Sequence, residues 1–154
     1  MYLSRIAHER SNRMGNSRPH RPHSYTLYCP PLETSPCIAR DFVTSVLRRL
    51  QLNDAVDTAA LCTAELAANA YAHAPGNGSV LWLAVEPAEV CVTVYDGNLT
   101  EPLLRPPSLD AEGGRGLRIV EALADKWGTT PGAPLGIGGA PGKGVWFSLA
   151  TGGA

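Results

Sequence analysis

A chain of 154 residues, 44% hydrophobic and 18% charged, has the length and composition of one globular domain with a single core. Its formal net charge is −1, unevenly spread: Arg5, Arg10, Arg13, Arg18 and Arg21 against Glu9 give residues 1–23 a net +4, while the remainder carries 8 basic and 13 acidic residues, a net −5. An acidic folded part has no electrostatic reason to seek nucleic acid. No apolar run approaches the roughly 18 residues of a membrane span or forms a signal-peptide core, so the expected setting is the cytoplasm, away from membranes.

Residues 1–23, rich in Arg, Ser, Asn, His and Pro, lack any apolar period and read as a disordered tail ahead of a domain over 24–150. Ser24 to Cys29 alternates and is rich in β-formers, predicting a first strand closed by Pro30-Pro31. Thr34 or Ser35 can cap a helix with Pro36 in its first turn. Ile38, Phe42, Val46 and Leu50 then recur every four residues as the face expected to pack on the sheet. A longer helix is predicted from about Asp54 to Ala74, stopped by Pro75. Two nearly continuous apolar strands follow, Val80 to Glu86 and Val90 to Tyr95, the second ending at Asp96-Gly97-Asn98.

Leu99 to Glu112 has three prolines and no period, a loop long enough to suggest function. It closes on Gly113-Gly114-Arg115-Gly116, after which Leu117, Val120 and Ala124 repeat at helical spacing to about Asp125. Glycines opening a helix leave backbone N–H groups at its positive end, where an anion can bind. Trp127 to Gly142 is Gly/Pro-rich, with room for a short strand, and leads to a final strand, Gly144 to Ala150. The cysteines at 29, 37, 62 and 91 show no metal or redox spacing and read as reduced, mostly buried thiols.

The chemistry centres on the long helix. Glu65, Asn69 and His73 are four apart and share one face, while Val56, Ala60, Thr63, Leu66, Ala67 and Ala70 supply a core-facing stripe. A carboxylate and a carboxamide are thereby held side by side, suited to handling a proton and a metal ion. His73, at the helix end, is more simply a residue interacting with the last carbonyls than a base or metal ligand. Gly142-Lys143 superficially suggests a phosphate-binding Walker loop, but Ile137 and Gly144 stand where that motif needs Gly and Ser or Thr, and a strand follows instead of a helix.

A helix with Glu-x-x-x-Asn, a strand ending in Asp-Gly and a loop closing on Gly-Gly-x-Gly before a helix together resemble the Bergerat fold of gyrases, heat-shock chaperones and histidine kinases. The strings ELAANAYAH and GGRGLRIVEALADKWG more closely resemble the stand-alone anti-sigma-factor serine/threonine kinases. The resemblance implies an α+β two-layer sandwich, a mixed sheet covered on one face by helices. It also implies that Asn69 is the Mg2+ ligand, that Glu65 accepts the proton of an attacking hydroxyl, and that Asp96 reads the adenine amino group of ATP. Gly97 would admit the base, Leu99 to Glu112 would be a lid mobile without ATP, and Gly113, Gly114 and Gly116 would cradle phosphates. Two positions depart from the family's pattern. Its Asp-x-Gly-x-Gly reads Asp96-Gly97-Asn98-Leu99-Thr100, and a Thr often found beside the adenine pocket would fall at or near Gly144.

The function so implied is an ATP-dependent protein serine/threonine kinase acting as an anti-sigma factor in partner switching. Its partners would be a sigma factor and an antagonist protein that receives the phosphate on Ser or Thr, and the kinase itself would be a homodimer. The competing expectation is a protein-sequestering module, nucleotide-binding or nucleotide-free, without catalysis. A sensor histidine kinase piece is disfavoured, since residues 24–64 hold no His and the tail cannot make a dimerisation hairpin.

Overall fold

The computed structural model describes residues 20–73, 76–96, 113–131 and 143–152. Most of the basic tail, Gly97, the expected lid and the Gly-rich stretch at 132–142 lie outside them. The elements run β1 (His23–Cys29), α1 (Ser35–Arg49), α2 (Asn53–His73), β2 (Ser79–Val85), β3 (Glu89–Asp96), α3 (Gly113–Leu123), β4 (Lys126–Pro131) and β5 (Lys143–Ala150). Each predicted element is present within a few residues, and β4 is the short strand for which the sequence left room.

The five strands form one sheet in the order β1-β2-β3-β5-β4, and every neighbouring pair is antiparallel, where a mixed sheet was expected. Connectivity explains the difference. Two helices lie between β1 and β2, so the chain goes away and comes back before β2 starts, which reverses its direction. A single helix, α3, separates β3 from β4, and these two strands do run the same way. They are not neighbours, however, because β5 is inserted between them.

Strand alternation gives the sheet two different faces. Leu81, Leu83, Val85, Val90, Val92 and Phe147 are fully buried under the helices. On the opposite face the cross-strand row Thr26, Trp82, Thr93, Trp146 and Gly128 includes Trp82, which stays 38% exposed. The core is therefore one layer between sheet and helices, with α2 packing on β2, β3 and β5 and α1 packing chiefly along α2.

The face of α1 turns one residue from expectation. Ala39, Val43 and Leu47 are fully buried, whereas Ile38 is 54% exposed and Phe42, Val46 and Leu50 lie on the flank. Small Ala39 sits on the buried face of α1, whereas the expected stripe was built only from bulkier residues. On α2, similarly, Ala59 and Cys62 join the buried stripe and Ala60 is half-buried.

The turn between these helices is a Schellman motif: the Leu52 N–H donates to the Leu47 carbonyl (2.9 Å) and the Gln51 N–H to the Arg48 carbonyl (3.0 Å). Gln51 adopts φ 61° there, a left-handed conformation normally given to glycine. At the other end of the domain, the Ala150 N–H donates to Asp125 Oδ2 (2.6 Å) and the Asp125 N–H to the Ser148 carbonyl (3.1 Å), fastening the α3–β4 junction to β5.

Candidate nucleotide site

Chain direction brings the candidate residues to one end of the sandwich. Val80, at the start of β2, pairs with Tyr95, at the end of β3, and only a short connection separates His73 of α2 from β2. The last turns of α2 therefore lie at the end of the sheet where β3 finishes. Lys126, just after α3, pairs with Ser148 at the far end of β5, so α3 runs back from the site end and its N-terminus points toward it.

Glu65 and Asn69, one helical turn apart on α2, are both half-buried. An outward face would leave them solvated, but α2 packs against α3 as well as the sheet, and the exposed residues of its middle turns are Asp57 and Leu61. A half-buried carboxylate beside a half-buried amide is more restrained than a solvated pair. Burial first, and the Glu65 carboxylate second, push the Cys62 thiol up to about 11. Cys62 is thus a protonated core residue at neutral pH, unsuited to act as a nucleophile.

Asp96 ends β3 on the helix-covered face, in phase with Val90, Val92 and Val94, and is only 4% exposed. A buried carboxylate requires compensation. Its register partner on β5 is Lys143, whose Nζ lies 3.3 Å from Oδ1 and 3.5 Å from Oδ2. Lys143 opens a strand rather than a helix, which a Walker loop would require. The signal for its role was the alternation of Val145, Phe147 and Leu149, which counted back two residues puts 143 on the buried face.

Gly144, where a pocket-lining Thr was anticipated, points the other way. A Cβ there would fall 2.8–2.9 Å from Thr130 Cγ2, Thr93 Cγ2 and Tyr95 Cε1 on the open face of the sheet. Any larger residue would crowd three side chains without reaching Asp96.

Gly113, Gly114 and Gly116 form the first turn of α3, whose leading N–H groups have no acceptor within the helix. His73 is exposed at the end of α2. Among the described residues no group of three or more His, Cys, Asp or Glu side chains is arranged to hold a metal ion, and no helix is long and apolar enough to cross a membrane.

A buried carboxylate at a strand end, oxygen donors on the neighbouring helix and a glycine-rich helix start lie at one end of an α+β sandwich with an antiparallel sheet. The chain belongs to the histidine kinase-like ATPase domain family, whose model matches residues 32–133. A comparison with curated proteins finds no match. Family membership supports ATP as the ligand, and the donor set fits it. Asp96 can accept from an amino group, the first turn of α3 can meet phosphate, and Asn69 offers the hard oxygen that magnesium takes while keeping water and phosphate in its shell.

Proposed function

We propose that this domain is an ATP-dependent protein serine/threonine kinase that also sequesters a transcription sigma factor, releasing it in a partner-switching cycle. The observation that carries the reading is the half-buried Glu65–Asn69 pair on α2, at the same end of the sandwich as buried Asp96 and the glycine-rich start of α3. Phosphoryl transfer is chiefly a matter of positioning and charge neutralisation, so a short list of groups suffices.

Asp96 holds the base and fixes how far the nucleotide enters. Gly113, Gly114 and Gly116 hold phosphate oxygens on backbone N–H groups. Asn69 would hold the magnesium ion, which would supply neutralisation of phosphate charge. Glu65 accepts the proton of the incoming serine or threonine hydroxyl, and its restraint on α2 keeps that oxygen from wandering. The acceptor protein is an antagonist that competes with the sigma factor for the kinase, and two copies of the kinase form the active unit.

The test is labelled-phosphate transfer from Mg-ATP to proteins of the native cell, with identification of the modified residues and of the proteins that co-purify. Phosphoserine or phosphothreonine on one small partner, together with a bound sigma factor, is the expected result. ATP binding without transfer to any protein would leave a sequestering module.

A further inference from the structure

Lys143 forms an ion pair with Asp96, and nothing in the kinase reading uses it. Strand alternation would put an apolar residue at 143, since Val145, Phe147 and Leu149 on the same face are all buried. A lysine stands there instead, its side chain only 12% exposed, against an aspartate side chain at 6%. The ammonium reaches both carboxylate oxygens, at 3.3 and 3.5 Å, longer than the ~2.7–2.9 Å of a tight charged hydrogen bond. The contact is a loose fork.

We propose that Lys143 is a second base-reading residue: it donates to ring nitrogen N1 of adenine while Asp96 accepts from the adjacent exocyclic amino group. The inference rests on the nucleotide reading of this site. Adenine's pairing edge carries a donor beside an acceptor, and the Asp96–Lys143 pair presents an acceptor beside a donor, the complementary order. Guanine inverts both positions, setting a carbonyl against the carboxylate and an N–H against the ammonium. The pair therefore discriminates at two points. It also accounts for a lysine at a strand position whose alternation calls for an apolar side chain.

The test is calorimetric binding of Mg-ATP and of Mg-1-deaza-ATP, in which N1 is replaced by C–H, to the full chain and to Lys143→Met, Lys143→Arg and Asp96→Asn. Thermal melting establishes that each variant folds. The natural protein should prefer ATP over the deaza analogue by about 10- to 100-fold, the scale of a hydrogen bond to a charged group. Lys143→Met should bind the two equally, Lys143→Arg should keep the preference, and Asp96→Asn should weaken both while preserving their ratio. Equal binding of ATP and the analogue by the natural protein would overturn the inference, as would tighter ATP binding by Lys143→Met, which would make Lys143 a competitor of the base. No binding of either nucleotide by the natural protein would remove the nucleotide reading itself and the inference with it.

Discussion

Replacing Asp96 by Asn should cost stability as well as ligand. The carboxylate side chain is 6% exposed and its lysine partner 12%, so the substitution leaves an ammonium in a largely dry place facing a neutral amide. Deleting one member of a fully buried pair typically costs about 3–5 kcal/mol. Asn keeps the shape and one acceptor oxygen, and the pair is partly rather than fully buried, so about 1–3 kcal/mol is expected. For a domain of this size that is a fall in Tm of roughly 3–10 °C. Calorimetry measures it directly, and a double-mutant cycle isolates the pair. Lys143→Met alone removes the cation paired with a buried carboxylate, but the double variant Asp96→Asn/Lys143→Met removes both charges and should be about 1–3 kcal/mol more stable than the sum of the single effects implies. Two results would refute the reasoning: an unchanged Tm for Asp96→Asn, or single effects that simply add.

Glu65→Gln should still bind Mg-ATP but transfer phosphate about 10²- to 10⁴-fold more slowly, whereas Asn69→Ala should lose magnesium-dependent binding; paired transfer and binding assays separate the two. Gly144→Ala should destabilise by about 1–3 kcal/mol through crowding of Thr93, Tyr95 and Thr130 and leave the ATP/deaza-ATP ratio untouched, as chemical denaturation and calorimetry would show. Gln51→Gly should stabilise by up to about 1 kcal/mol, since it relieves a left-handed non-glycine residue in the α1–α2 turn, read as a higher urea midpoint. The folded state holds the Cys62 proton to about pH 11, above the ordinary 9.0, so this thiol's contribution to stability is complete below pH 9 and is lost as pH rises from 9 to about 11. Cys62→Ala should flatten that part of the pH–stability curve.

The order of elements, the shared helix of Glu65 and Asn69 and the strand-end place of Asp96 were legible because each has a local signature: helical spacing in one case, an apolar run ending in Asp-Gly in the other. The inward face of α1 was not. Counting bulky residues favoured Ile38 and Phe42, yet the residue on its buried face is small Ala39, and nothing local to α1 announces that. Lys143 was missed for a longer-range reason. Its meaning depends on pairing with a residue 47 positions earlier, and only the register of β3 on β5 decides which of Lys143 and Gly144 faces Asp96. The antiparallel sheet was hidden similarly, because neighbourhood among strands is set by the insertion of β5.

That insertion also orders events in time. Within the sheet β4 pairs with β5 alone, so residues 126–131 have no place in it until 143–150 have been synthesised. An emerging chain can close β1, α1, α2, β2 and β3 into a partial sandwich, but the edge of β3 that β5 will occupy stays open, with its N–H and C=O groups unpaired. An open edge on a half-made sheet invites pairing with other chains. The final strand thus acts as a keystone for biosynthesis. Truncations that remove it should yield protein that aggregates rather than a smaller domain lacking one strand.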